Sequence, residues 1–98
     1  MNVIWSPLAV DQLGEFAEYI ALDKPSVALD WAEQMFDSVF RLADFPFSGK
    51  AVPEIGREDI REIINGNYRI IYRVTEKEIL ILTVRHQRQL LRKEDISA

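Results

Sequence analysis

The sequence predicts an α+β fold: an N-terminal strand, then a two-helix hairpin, then a three-stranded antiparallel meander. Apolar residues recur at intervals of three and four between residues 7 and 42, which is the period of a helix. After residue 60 the interval becomes two, which is the period of a strand. A chain of 98 residues has room for one core, so we expect a single domain over residues 1–98.

The first element is predicted to be a short strand over Val3–Trp5, followed by a helix. Ser6-Pro7 joins a residue that caps helices to a residue favoured in the first helical turn. The acidic side chains of this helix fall away from its apolar stripe and are expected to face solvent. That stripe is predicted to contain Val10, Leu13, Ala17 and Ile20, with Phe16 beside them.

A second helix is expected after the break at residues 23–26, where Asp23 is the predicted cap and Pro25 suits the first turn. Trp31, Phe36 and Phe40 widen its apolar stripe, so more than one face of this helix requires cover. The two helices are expected to form a hairpin. The stripe consists of Ala28, Ala32, Met35, Val39 and Leu42.

The second half of the chain predicts a loop and three strands. Residues 45–56 contain two prolines and two glycines, which predicts a long structured loop without a regular element. Strands are expected over residues 60–64, 68–74 and 79–84, the first two joined by a tight hairpin at Asn65-Gly66-Asn67. The third is apolar on both faces, which favours an interior position in the sheet. Residues 87–98 are polar, and we expect them to be partly helical or frayed.

Composition excludes several classes of function. The chain has no cysteine, which excludes disulfides, thiolate metal sites and cysteine nucleophiles, and which fits a reducing cytoplasm. Neither a signal peptide nor an apolar run long enough for a membrane helix is present in the sequence. It also lacks a phosphate-binding glycine loop, paired histidines at metal spacing and a serine nucleophile motif. We therefore expect a soluble cytoplasmic protein without cofactor, metal or membrane contact.

The formal charge is divided unevenly along the chain. Residues 1–45 contain two basic and eight acidic side chains, which gives −6, and residues 46–98 contain ten basic and eight acidic ones, which gives +2. The net charge of −4 makes the whole chain a poor general nucleic-acid binder, because affinity for phosphate comes mostly from lysine and arginine. A local cationic cleft in the second half remains possible.

Cationic side chains form the first candidate site, and alternation places several of them on the sheet face opposite the helices. They could bind a phosphate backbone or an acidic protein segment. The alternative is an ordinary solvated face, balanced by Glu58, Asp59 and Glu62. The set comprises Lys50, Arg57, Arg61, Arg69, Arg73, Arg85 and Arg88.

The lone histidine, His86, is the second candidate. It follows the most buried predicted strand, near Arg85 and Arg88, and could act as a general acid or base with Glu54 as the complementary carboxylate. The alternative is a strand-end histidine that caps or packs.

Aromatic side chains form the third candidate, and most of them are expected in the core. Trp31 is the exception, because it lies off the main stripe of the second helix and could belong to a patch that a partner helix covers. The set comprises Trp31, Phe36, Phe40, Phe45, Phe47, Tyr68 and Tyr72.

Taken in order, these residues resemble the RelE/ParE superfamily of toxins over nearly the whole chain, from the opening strand to His86. Each motif is weak alone, but five in this order in so short a chain are fairly specific. The motifs are Ser6-Pro7-Leu8-Ala9; Pro46-x-Ser48-Gly49-Lys50 with Val52-Pro53-Glu54; Ile60-Arg61-Glu62; Tyr68-Arg69-Ile70-Ile71-Tyr72-Arg73-Val74; and Ile79-Leu80-Ile81-Leu82-x-Val84-x-His86.

The resemblance implies a toxin of a type II toxin–antitoxin system, neutralised in a hetero-oligomer by an antitoxin whose C-terminal segment wraps around it. For that contact we single out Trp31, Arg73, Arg85 and Arg88. ParE-like toxins inhibit DNA gyrase by binding, whereas RelE-like toxins cut mRNA in the ribosome.

In the RNA-cutting branch, the resemblance would make Glu54 the general base, Arg61 and Arg69 the phosphate contacts, and His86 the general acid. The acidic chain and the lack of an aromatic residue after Tyr72 favour the ParE branch instead. A toxin-like fold with weak or lost activity is the third interpretation.

Overall fold

The computed structural model describes residues 1–96. Two helices and five strands are present in this part of the chain, joined by two short 3-10 turns at Arg41–Ala43 and Lys93–Ile96. The elements are β1 (Asn2–Trp5), α1 (Pro7–Ala21), α2 (Pro25–Phe40), β2 (Lys50–Ala51), β3 (Ile60–Asn65), β4 (Tyr68–Val74) and β5 (Glu78–His86).

The strands form one sheet with the order β1-β5-β4-β3-β2. The predicted meander is confirmed, because β3, β4 and β5 pair antiparallel in sequence order. Each end of the meander carries an added strand: β1 lies parallel to β5, and the two-residue β2 pairs with β3. The expectation that residues 45–56 contain no regular element is therefore wrong, because the segment runs close enough to β3 for Lys50 to pair with Glu62.

Helix α1 begins as the sequence predicts. The Ser6 hydroxyl accepts a hydrogen bond from the Ala9 N–H at 3.0 Å and donates one to the Leu82 carbonyl at 2.9 Å, so it caps the helix and ties it to β5. The predicted cap of α2 is wrong, because the N-cap is Lys24 and not Asp23. Pro25 occupies the first turn, where its fixed φ favours helix without help from a side-chain cap.

The main core lies between the helices and the sheet. Helix α1 contributes Ala9 and Leu13 to it, while Val10, predicted to lie on the buried stripe, remains 51% exposed. Val10 alone departs from the predicted stripe, because Leu13 is buried and Ala17 and Ile20 are partly buried as expected. From α2 and the turn after it come Met35, Val39 and Leu42.

A second cluster lies on the opposite face of the sheet, and the C-terminal segment (residues 87–96) covers part of it. Leu91 and Ile96 are buried there, so the described part of this segment is packed and ends in one 3-10 turn. Residues 97 and 98, which belong to the same prediction, lie outside the described residues. The strand residues of this cluster are Ile60, Ile71 and Leu82, joined by Val52.

Candidate functional site

A network of buried charges occupies the sheet face away from the helices, and two candidate residues lie at its centre. Arg69 on β4 stands between Glu54, from the loop after β2, and Glu62 on β3. The side chains of Arg69 and Glu62 are only 7% and 3% exposed, and that of Glu54 is 23% exposed. We call these three residues the arginine–carboxylate network.

The geometry of this network uses every nitrogen of the Arg69 guanidinium. Glu62 accepts hydrogen bonds from Nε at 3.0 Å and from Nη2 at 2.5 Å, and Glu54 accepts from Nη1 at 2.8 Å and Nη2 at 3.1 Å. Nη1 also donates to the carbonyl of Gln89 at 3.3 Å, and Glu54 accepts from the N–H of Leu91 at 3.1 Å. The network therefore fixes the C-terminal segment onto the sheet.

Hydrogen bonds from Arg69 lower the pKa of Glu54 from 4.5 to about 2, against the opposing effect of burial. The same contact raises the pKa of Arg69 above its ordinary value. Both groups are consequently charged at every physiological pH, and each neutralises the other.

Arg61, the other candidate phosphate contact, is used to shape the loop before β2. Its guanidinium donates to the carbonyls of Gly49 and Glu58 and lies 5.0 Å from the ring centroid of Phe47. Beside it, the buried hydroxyl of Tyr72 accepts from the Gly49 N–H at 2.9 Å and donates to the Pro46 carbonyl at 2.8 Å.

These contacts explain why Gly49 is a glycine, because an added Cβ would lie 2.4 Å from the Tyr72 hydroxyl and 2.6 Å from the Glu62 carbonyl oxygen. The loop motif and the strand motifs recognised in the sequence thus meet in a single packing arrangement.

His86 lies at the end of β5, where its ring packs edge-on against Tyr68 with centroids 5.5 Å apart. Nδ1 accepts a hydrogen bond from the Arg88 N–H at 3.3 Å, and the His86 N–H donates to the side chain of Gln89. The packing role foreseen for a strand-end histidine is thus present. Among the interactions of the described residues, none joins His86 to Glu54.

Most of the remaining cations are paired. Asp59 accepts two hydrogen bonds from Arg57, which lower its pKa, and lies 3.8 Å from Arg73. Lys50 lies 3.9 Å from Glu62. The solvated, balanced face that composition allowed thus accounts for Arg57 and Arg73, while Arg69 is buried and the cations near the C-terminus form a separate group.

That group lines a cleft of about 770 Å³ beside the C-terminal segment. Arg85 contacts Asp95 at 2.5 Å, whereas Arg88 forms no ion pair with any residue in the described range. Sequence reasoning named Arg85 and Arg88 but missed Arg92, which also lines the cleft. The recurrence of arginine at residues 85, 88 and 92 was the available signal.

The aromatic residues are distributed differently from the prediction. Trp31 is half-buried against the core, with its ring 4.9 Å from that of Tyr68, so it does not belong to an exposed patch. Its Nε1 atom is buried and lacks a partner within residues 1–96. Phe36, Phe40, Phe45 and Phe47, expected in the core, are 50%, 77%, 65% and 58% exposed.

An apolar surface runs along β1 and the neighbouring face of α2. It surrounds a groove of about 290 Å³ lined mainly by Val3, Trp5, Phe36 and Phe40, which we call the aromatic surface. The rings of Trp5 and Phe36 lie 5.4 Å apart, and Phe36 is half exposed. β1 is the terminal strand of the sheet, so its outer edge has no strand partner among the described residues. The predictive signal was the i, i+4 pair of phenylalanines off the helix stripe.

Neither a metal centre nor a membrane span is found in the described part of the chain. Within residues 1–96, no three histidine or carboxylate side chains gather where they could hold a metal ion. No helix in that range is long and apolar enough to cross a bilayer.

Comparison with known proteins matches residues 3–91 to the family described as "ParE toxin of type II toxin-antitoxin system, parDE". A chain of the "Chromosomal ParDE TA system from P. aeruginosa" aligns with a TM-score of 0.73 and 24% identity, covering 88% of this chain and 95% of that one. A chain of the toxin–antitoxin complex RelBE2 from Mycobacterium tuberculosis aligns with a TM-score of 0.61 and 22% identity. The alignment covers 87% of this chain and 95% of that one. Curated protein sequences gave no significant match. Both structural matches confirm the predicted α+β fold.

Proposed function

Because the chain belongs to the ParE toxin family of type II toxin–antitoxin systems, we propose that it inhibits DNA gyrase by binding and is neutralised by a cognate antitoxin. The observation that carries the binding mechanism is the arginine–carboxylate network. Glu54 and Arg69, the groups that RNA cleavage would need, are already paired inside the fold. With its candidate chemical groups engaged in this way, the toxin acts through its surface.

The pKa of Glu54 disfavours proton transfer by this residue. A general base works best when its pKa lies near the operating pH, whereas the pKa of Glu54 is about 2. Arg69 is 7% exposed and has all its nitrogens engaged, so it would have to break buried ion pairs to reach a phosphate. Breaking such pairs is strongly unfavourable, which supports a structural role for both residues.

Antitoxin binding is assigned to the aromatic surface and the outer edge of β1. The unpaired N–H and C=O groups of an edge strand accept an extended segment, and the Phe36–Phe40 groove would receive its apolar side chains. The solved relatives described above come from toxin–antitoxin systems, which supports a partner of this kind. Trp31 supports antitoxin binding indirectly, because it packs against the core beneath α2.

The test of the proposed target is a supercoiling assay with purified gyrase. Added toxin should reduce supercoiling, and toxin mixed beforehand with its antitoxin should not. The variant His86→Gln should inhibit as strongly as the natural chain, since no proton transfer is required. Unchanged supercoiling at micromolar toxin would contradict the proposal.

A parallel measurement separates binding from RNA cleavage. Cells that express the toxin should stop growing with their mRNA intact. If mRNA is instead cut at ribosomal A sites, and His86→Gln abolishes the cutting, the RelE-like mechanism replaces the one proposed.

A further inference from the structure

The arginine cleft, defined as Arg85, Arg88 and Arg92 with the single lining carboxylate Asp95, concentrates positive charge on an acidic protein. Three guanidinium groups and one carboxylate line it, a charge of +2, and counting Glu94, which lies 3.8 Å from Arg92, leaves a local charge of +1 in a chain of −4. This is the cationic cleft that the uneven charge distribution allowed and that the gyrase proposal does not use.

The three arginines differ in how firmly they are held. Asp95, itself 18% exposed, accepts from Nη2 of Arg85 at 2.5 Å and fixes that guanidinium at the base of the cleft. Nε of Arg85 is buried without a partner in the described range. By contrast, Arg88 is exposed and has no ion pair among the described residues. The Arg92 side chain is 77% exposed, and its Nη1 lies 3.8 Å from a carboxylate oxygen of the similarly exposed Glu94. Arg88 therefore has no ion pair within the described range, and the exposed pair of Arg92 with Glu94 is weak enough for a phosphate to replace, beside the fixed guanidinium of Arg85.

The composition of the cleft distinguishes between kinds of anionic partner. Protein interfaces are anchored by buried aromatic and aliphatic side chains, and here Leu90 is the one exposed apolar side chain among the described lining residues. Arginine forks without lysine or aromatic neighbours suit the oxygens of a phosphate group. The aromatic surface on the other side of the molecule has the opposite composition.

We propose that the arginine cleft binds a phosphodiester of the DNA held by gyrase. This inference rests on the proposed function for its biological setting, though not for the chemistry of the site. The strongly acidic helical half repels DNA, which favours an approach in which the arginine cleft faces the duplex. The cleft thus orients the bound toxin, and it strengthens binding only when gyrase carries DNA.

The first experiment measures binding of the purified full chain to a short duplex DNA oligonucleotide at low ionic strength. The double variant Arg88→Ala/Arg92→Ala should bind at least about tenfold more weakly, because it removes two charge-assisted contacts and the loss of even one costs a factor of roughly ten. Its salt dependence should decrease by about two counterions. The control Lys24→Ala/Lys77→Ala removes the same charge from distant exposed positions and should match the natural chain.

Equal binding by the double variant and the natural chain would overturn the proposal. Single-stranded RNA serves as the second probe. If the cleft binds RNA at least tenfold more tightly than duplex DNA, the phosphodiester belongs to RNA and the DNA assignment is wrong.

The second experiment measures binding of the same proteins to gyrase with and without DNA. The double variant should match the natural chain on gyrase alone and bind about tenfold more weakly to gyrase on DNA. A loss on gyrase alone would mean that the cleft contacts an acidic protein segment, which contradicts the proposal. If the natural chain does not bind gyrase at all, the proposal that gyrase is the target is wrong. The oligonucleotide measurement then still shows whether the cleft binds a phosphodiester.

Discussion

The two sides of the sheet differ in whether their polar and aromatic groups find partners within the chain. On the face away from the helices, the arginine–carboxylate network matches every guanidinium nitrogen of Arg69 with an acceptor inside the chain. At the α2–β1 side, Phe40 is 77% exposed and the outer edge of β1 lacks a strand partner in the described residues. The first region is complete without a ligand, and the second is not.

This difference separates groups that the chain itself satisfies from groups that need a partner. Charged residues in sequence motifs suggest catalysis or ligand binding. Buried charges must be paired, however, and a paired group is not available to bind a ligand or transfer a proton. Exposed aromatic side chains beside an open strand edge leave apolar area and backbone groups unsatisfied by the chain itself. For this reason we propose the aromatic surface, and not the network, as the antitoxin site.

The largest effect is expected from breaking the network. Arg69→Met leaves Glu54 and Glu62 facing each other without their shared cation, so the free energy of unfolding should fall by about 3–5 kcal/mol. Urea unfolding measures it. Arg57→Met, which removes an exposed ion pair with Asp59, is the control and should cost less than about 1 kcal/mol. Equal losses in the two variants would show that the buried network is no more important than a surface pair.

A smaller effect, on binding alone, is expected at the aromatic surface. Phe40→Ala should weaken antitoxin binding by about 2 kcal/mol, or roughly thirtyfold, because a central aromatic anchor is lost. Stability should hardly change, since the side chain is mostly exposed. Calorimetric titration with the antitoxin measures the affinity, and the exposed Phe45, outside the Phe36–Phe40 groove, provides the control Phe45→Ala. If Phe45→Ala weakens binding as much, the groove is not the docking site.

The last expected effect concerns the pH dependence of stability. The pKa of Glu54 is lowered from 4.5 to about 2 in the folded chain, so its contribution to stability is fully present above about pH 5. That contribution should be lost as the pH falls from about 5 towards 2, because the unfolded chain takes up the proton first. Glu54→Gln should have a flatter stability profile over this window when both proteins are unfolded with urea. If the variant's stability falls with pH as steeply as that of the natural chain, groups other than Glu54 cause the acid sensitivity.

Local rules predicted most of the fold. The Ser6-Pro7 start, the period of the helices and the Asn65-Gly66-Asn67 hairpin depend on neighbouring residues and were correct, including the positive φ of 59° at Gly66. Errors occurred where a distant contact decided the outcome. β2 exists because β3 lies beside it, and Val10 is exposed because the sheet determines which side of α1 is covered.

The candidate site shows the same division. The motifs identified Glu54, Arg61 and Arg69 as notable residues, but their types are equally compatible with phosphate contact and with internal ion pairing. Only the approach of the loop, β3 and the C-terminal segment to β4 settles which partners each group has. Trp31 and Phe40 look equivalent in the sequence, since both lie off the stripe of α2. Their exposure differs because Trp31 packs against Tyr68, whereas Phe40 lines the groove beside β1.

The sequence by itself determined the order of elements, the α+β class and the resemblance to RelE/ParE toxins, because periodicity, caps and turns act over a few residues. Tertiary structure decided the parallel pairing of β1 with β5, the added strand β2, the closure of the C-terminal segment over the second core, and the pairing of Arg69 with two carboxylates. These features join residues far apart in the chain, and whether a polar group is paired or a ring is exposed depends on such distant neighbours.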